Sequence, residues 1–274
     1  MIATAVIGGT GIGCAVILAI AARVFSVHED PRISDLTAIL PGINCGGCGF
    51  AGCPEYARHL VVPGADLTLC RPGGSDTVTR LARYLGVEAK AQERKVAVVL
   101  CGGGDQVAVR QAEYNGLADC VAADLAGGAG KACRYGCLGF GSCSRVCPVA
   151  AIEIRPDHLA VVHPDLCIGC GKCVNTCPRK LIRLAPESRF IHILCSSHER
   201  GPVTRKQCSV GCIACTLCFK MTDGVGIRME NNLAVVDYGI HIDNEAVIAK
   251  CPQRTIVNRS GHRREVRSET APAA

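Results

Sequence analysis

Four cysteines at the spacing Cys167-x2-Cys170-x2-Cys173-x3-Cys177, followed directly by Pro178, form the most specific chemical pattern in the sequence. Three thiolates at that spacing wrap three corners of a 4Fe-4S cube, while the fourth reaches across to a second cube. Zinc ribbons use separated pairs of cysteines, so this run points to iron and sulfide. The partner run upstream is Cys137, Cys143 and Cys147-Pro148, with Phe140 where a middle cysteine belongs. Cys133, four residues before Cys137, is the expected substitute. One expected ligand set is therefore Cys133, Cys137, Cys143 and Cys177; the other is Cys147, Cys167, Cys170 and Cys173.

The same pattern returns downstream as an internal repeat. Cys120, Cys133, Cys137 and Cys143 recur as Cys195, Cys208, Cys212 and Cys218, each 75 positions further on. Cys177-Pro178 recurs as Cys251-Pro252. The second copy keeps Cys212, Cys215, Cys218 and the crossover ligand Cys251, enough for one cluster. In place of Cys147, Cys167, Cys170 and Cys173 it has Thr222, His241, Asn244 and Val247, so the other cluster is expected to be lost as a unit. His241 alone among these replacements binds metal readily, and its three companions do not, so it reads as a surface or core histidine. The repeat leaves Cys133 with two readings: a ligand of the first module, or a partner of Cys208 in a further metal site with Cys120 and Cys195. Cys101 has no assigned role, and Cys14 reads as an inert thiol.

A third type of set, Cys45-x2-Cys48-x4-Cys53-x16-Cys70, lies among glycines that let backbone fold closely around a metal. Four 4Fe-4S clusters are expected in all. Twenty-one cysteines in 274 residues would otherwise suggest disulfides, but neighbours two residues apart seldom pair as structural bridges and converge well on one centre. Tyr and Phe number five each and Trp is absent, so metal staples have to hold modules whose cores are small. The net charge of +6 comes with no nucleic-acid motif, and it suits an acidic electron-donor protein. Cys101-Gly102-Gly103-Gly104 meets neither the G-x-G-x-x-G nor the P-loop pattern, so nucleotide binding is not expected there.

The elements that must position these ligands define an α+β chain. Met1 to Ala22 carries no charged side chain and reads as a transmembrane helix, the alternatives being a signal peptide or a buried helix. Arg23 and the basic residues after it favour the cytoplasmic side for the rest, and Gly9 and Gly13 offer a small face to a partner helix. The expected divisions are an anchor over 1–27, a 4Fe-4S domain over 28–91 and a connector over 92–132. Ferredoxin-like modules follow over 133–192, with two clusters, and 193–257, with one; a disordered tail covers 258–274. A short helix is predicted over Glu55 to Val62 and a strand over Lys95 to Leu100. Each module has a hairpin, Ala151 to Ile154 with Leu159 to Val162, and Gly226 to Met229 with Leu233 to Val236.

Glu29-Asp30-Pro31, Leu40-Pro41-Gly42, Asn44-Cys45-Gly46-Gly47-Cys48-Gly49 and Gly52-Cys53 resemble the B subunit of Rnf-type ferredoxin:NAD oxidoreductase complexes. That family has a membrane helix, this cluster domain, a Cys-Gly-Gly-Gly-type turn and ferredoxin modules in the same order, so the likeness runs over roughly residues 1 to 257. It implies a subunit at the cytoplasmic membrane that takes electrons from reduced ferredoxin and passes them to other subunits of the complex. Sodium ions or protons would be driven across the bilayer on the way to NAD. No flavin or nicotinamide motif and no charged residue within the span is present, so those steps are expected of partner subunits. The rival readings are an iron-sulfur sensor or assembly protein, and the ferredoxin-like subunit of a membrane hydrogenase or quinone reductase. A sensor needs a readout domain that this sequence lacks, and the Cys45 to Cys70 domain counts against the hydrogenase reading.

Overall fold

The charge-free run at the start of the sequence forms a single helix, α1 (Ile2–Val24), in a computed structural model that describes residues 2–25, 30–88, 93–242 and 245–259. The stretch Ile7–Val24 has a mean hydropathy of 1.8, and no other helix among the described residues is long and apolar enough to cross a membrane. At ~1.5 Å per residue, 23 residues reach roughly 34 Å, enough for a hydrocarbon layer of ~30 Å. Ile12, Ile17 and Leu18 stand exposed, so no protein core covers this surface.

Three helices, α2 (Pro31–Ile39), α3 (Cys53–Leu60) and α4 (Gly74–Leu85), enclose a core of Leu36, Tyr56, Leu60 and Leu81. Asp30 caps α2 by accepting the Arg32 N–H at 2.9 Å, and Pro31 fills the first turn, where an N–H has no helical partner anyway. Helix α3 begins at Cys53, two residues before the predicted start. Pro54 suits the first turn, and Asn44 Oδ1 accepts the otherwise orphaned Cys53 N–H at 2.8 Å. Tyr56 is buried and donates its hydroxyl proton to the Asp66 carbonyl at 2.8 Å, so its polar tip is satisfied.

The next region contains β1 (Lys95–Val99), α5 (Cys120–Leu125), α6 (Ser142–Arg145), β2 (Ile152–Ile154), β3 (Ala160–Val162), α7 (Lys172–Thr176) and β4 (Ile182–Pro186). The hairpin β2–β3 forms as predicted, with Ile152 opposite Val162. Strand β1 also lies where expected, but it pairs antiparallel with β4, from Lys95↔Pro186 to Val99↔Ile182. Val96, Ala97 and Val99 share one core with Cys137, Cys143, Cys167 and Cys173. The strand at the head of the connector is thus packed into the ferredoxin fold that follows it.

The last region repeats this plan with β5 (Ile191–Ile193), α8 (Gly201–Gln207), α9 (Leu217–Met221), β6 (Ile227–Glu230), β7 (Leu233–Val236), α10 (Ala246–Ala249) and β8 (Ile256–Asn258). Strands β6 and β7 make the second hairpin, and β5 pairs with β8 as β1 pairs with β4. Ile191, Ile193, Ile227, Val247 and Ile256 form its core. Every sheet among the described residues has two strands. Two strands alone are marginal in water, which leaves these modules dependent on a further staple. The tail expected over 258–274 lies outside the described residues from position 260 onward, as does Asn244.

Candidate metal centres

Twenty of the 21 cysteines lie beyond α1, and none is disulfide-bonded in the structure. Cys14, on α1, is exposed and apart from the rest. The other twenty fall into five groups of four. Among the described residues no three His, Cys, Asp or Glu side chains are grouped to hold a metal ion, so the thiols do not close on a single atom. Three of the groups instead line cavities.

In the first ferredoxin module, one cavity of ≈ 390 Å³ is lined by Cys137, Cys143, Cys177 and Cys120. Cys133, the expected fourth member, lies elsewhere. Cys120 reaches this position because Asp119 caps α5 and also accepts the Ser142 hydroxyl at 2.7 Å, while Ser142 Oγ accepts the Cys120 N–H at 2.8 Å. That network ties α5 to α6, which carries Cys143. Phe140, at the place of the missing middle cysteine, packs edge-on against Tyr114 at 5.3 Å. The insertion between β1 and the cysteine run thus brings back the thiol that Phe140 displaced. Burial pushes the Cys143 thiol up to about 12 and Cys137 up to about 11, with neighbouring thiols adding to the effect. Thiols held this way keep their protons unless a cationic centre compensates the charge.

Cys147, Cys167, Cys170 and Cys173 come together as the spacing predicts, and burial followed by the charge of its three companions drives Cys173 up to about 12. Backbone donors point at the sulfurs: Ala97 N–H to Cys167 Sγ at 3.4 Å and Ala151 N–H to Cys147 Sγ at 3.3 Å. Such N–H···S bonds stabilise thiolate charge and tune a cluster's potential. Cys45, Cys48, Cys53 and Cys70 also converge; burial raises the Cys70 thiol and the other three raise it further. This group abuts the previous one. A methyl group at Gly47 would come within 2.6 Å of the Cys170 carbonyl oxygen, so only glycine permits the approach.

In the second module, Cys212, Cys215, Cys218 and Cys251 line a cavity of ≈ 400 Å³ together with Gln253. Gln253 Oε1 is one of two buried side-chain polar atoms without a hydrogen-bond partner among the described residues. Four thiols converging on one cavity fit an iron-sulfur cube. Where the first module has Cys173, Val247 is buried in the core beside Ile242. His241 Nδ1 instead meets Arg189 Nη1 at 2.9 Å, away from the four thiols.

The remaining four cysteines, Cys101, Cys133, Cys195 and Cys208, surround a cavity of ≈ 380 Å³. The expected further site with Cys133, Cys208, Cys195 and Cys120 is corrected in one member, Cys101 standing in place of Cys120. The 75-residue offset aligns Cys120 with Cys195, but the fold makes Cys101 the equivalent of Cys195. Cys101 follows β1 by two residues, and Cys195 follows β5 by two. A signal was present in the sequence, since Leu100-Cys101 and Leu194-Cys195 each end an apolar β-branched run.

Comparison with known proteins agrees with this chemistry. An Fe-S cluster family model (FeS) matches residues 40–72, and a 4Fe-4S dicluster domain model matches residues 132–181. The chain is 40% identical over 252 residues to the B subunit of the ion-translocating oxidoreductase complex of Methanosarcina acetivorans, covering 92% of this chain and 96% of that one. It is 41% identical to the B subunit of the Na(+)-translocating ferredoxin:NAD(+) oxidoreductase complex of Acetobacterium woodii, over 93% of this chain and 77% of that one. It is 40% identical to the B subunit of the proton-translocating ferredoxin:NAD(+) oxidoreductase complex of Clostridium ljungdahlii, over 88% and 86%. The chain belongs to the B-subunit family of ion-translocating (Rnf) oxidoreductase complexes, in which it is an iron-sulfur electron-transfer subunit.

Proposed function

We propose that this subunit takes electrons from reduced ferredoxin on the cytoplasmic side of the membrane and relays them towards partner subunits that handle NAD and the transported ion. The observation that carries the reading is the continuity of the thiol groups. The Cys45 group touches the Cys147–Cys173 group through Gly47, and Cys173 in turn lies within electrostatic range of Cys143 in the Cys120 group. When bound, a 4Fe-4S cluster supplies one-electron redox chemistry. The ligands for four such clusters are Cys45, Cys48, Cys53 and Cys70; Cys147, Cys167, Cys170 and Cys173; Cys120, Cys137, Cys143 and Cys177; and Cys212, Cys215, Cys218 and Cys251. The chain's own contribution is to bury these thiols, direct backbone N–H groups at their sulfurs and keep water away from them. Arg23, in the last turn of α1, supports placing the cysteine-bearing bulk on the cytoplasmic side.

The test is stopped-flow reduction of the anaerobically purified full-length chain by reduced ferredoxin. Fast reduction at low salt is expected. No reduction at low salt would exclude ferredoxin as the donor.

A further inference from the structure

We infer that Cys101, Cys133, Cys195 and Cys208 bind a fifth 4Fe-4S cluster, shared between the two ferredoxin-like modules and joining their electron paths. The inference builds on the four-site reading but rests on different residues.

The site is built by pseudo-symmetry, each repeat giving two ligands. One comes from the exit of the pairing strand, Cys101 after β1 and Cys195 after β5. The other stands four residues before the module's cysteine run, Cys133 before Cys137 and Cys208 before Cys212. The two strand-exit cysteines share one local geometry, in which the N–H two residues on points at the sulfur. Gly103 N–H meets Cys101 Sγ at 3.4 Å, and Ser197 N–H meets Cys195 Sγ at 3.4 Å. Backbone bonds lock the halves together: Gly102 N–H to the Leu194 carbonyl at 2.9 Å, Val109 N–H to the Gln207 carbonyl at 2.9 Å and Ser209 N–H to the Val107 carbonyl at 2.9 Å. A methyl group at Gly103 would lie 3.2 Å from Cys208 Sγ and 3.8 Å from Cys101 Sγ, so glycine keeps the space between these thiols open.

The site resembles the ferredoxin-type groups, since its four thiols line a cavity as those of the Cys120 and Cys212 groups do. The lining also supplies the complement to an anionic cluster. Lys131 is 6% exposed, its Nζ donates to the carbonyls of Gly103 at 2.5 Å and Cys137 at 2.7 Å, and among the described residues no carboxylate pairs with it. A buried ammonium needs nearby negative charge, and four thiolates on a cube provide it.

Position gives the site its role. Cys137, of the Cys120 group, donates its N–H to Cys101 Sγ at 3.4 Å, and Cys208 stands four residues before Cys212 of the other module's group. The site therefore adjoins the thiol groups on both sides. Loading of a preassembled cube is ligand exchange: one Fe–S bond forms per cysteine as one Fe–S bond to a thiolate of the donor scaffold breaks, and the proton each cysteine gives up passes to the departing thiolate, with no oxidant or reductant required.

The test compares iron, acid-labile sulfide and zinc in anaerobically purified full-length chain, in the Cys101→Ser/Cys208→Ser double variant and in Cys215→Ser. About twenty irons are expected in the parent chain, with about four lost from the double variant. Equal iron in parent and double variant, or zinc lost in place of iron, would overturn the inference. Iron-edge anomalous scattering from crystals of the unaltered chain covers the case of a misfolded variant: an iron peak among the four sulfurs supports the site, and none refutes it. Failure of the four-site reading is separately visible, as iron unchanged by Cys215→Ser.

Discussion

Val247 and Cys251 are close neighbours in sequence, yet one is buried in an apolar core and the other lines a cysteine cavity. The repeat carries the same contrast, because four cysteines of the first copy are replaced together in the second while Cys212, Cys215, Cys218 and Cys251 remain. Cys251→Ser is expected to remove about four irons and one reduced-state EPR signal, whereas His241→Ala changes neither. Iron loss from His241→Ala, or full iron in Cys251→Ser, would show that the ligands are misassigned. Cys120 was harder to read. Its partners are Cys137, Cys143 and Cys177, and what brings it there is the Asp119–Ser142 network, which leaves no spacing signature. Cys133 was the nearer substitute along the chain, but nearness in sequence does not fix nearness across an inserted helix.

Among the strands, alternation and turn residues sufficed for the hairpins β2–β3 and β6–β7, each found within a residue of its expected bounds. The pairings β1–β4 and β5–β8 were not legible. Both join segments far apart in the chain, and periodicity within a strand says nothing about its partner. The helical cluster domain follows local rules more closely and has its own core. Leu81, fully buried there, is expected to cost ~2–5 kcal/mol when changed to Ala. Thermal melting of Leu81→Ala should show a lowered transition, with loss of the Cys45-group iron before that of the ferredoxin modules. Simultaneous loss of all iron would mean that the cores do not act separately.

The chain joins an exposed apolar helix to a series of thiol groups. Removing Met1 to Ala22 should release a soluble protein that keeps its iron and no longer co-purifies with the membrane complex. Retention of the truncated chain in membranes stripped of its partners would rule out α1 as the anchor. The composition had already announced metal-held modules, since a chain so poor in aromatic residues needs staples; which thiols share a staple needed the fold. If these groups hold iron-sulfur cubes, anomalous diffraction at the iron and zinc edges from anaerobic crystals of the full-length chain will reveal it. Iron, and no zinc, is expected at the Cys45, Cys147–Cys173, Cys120 and Cys212 groups; zinc at any of them, or one of them without metal, would contradict the account.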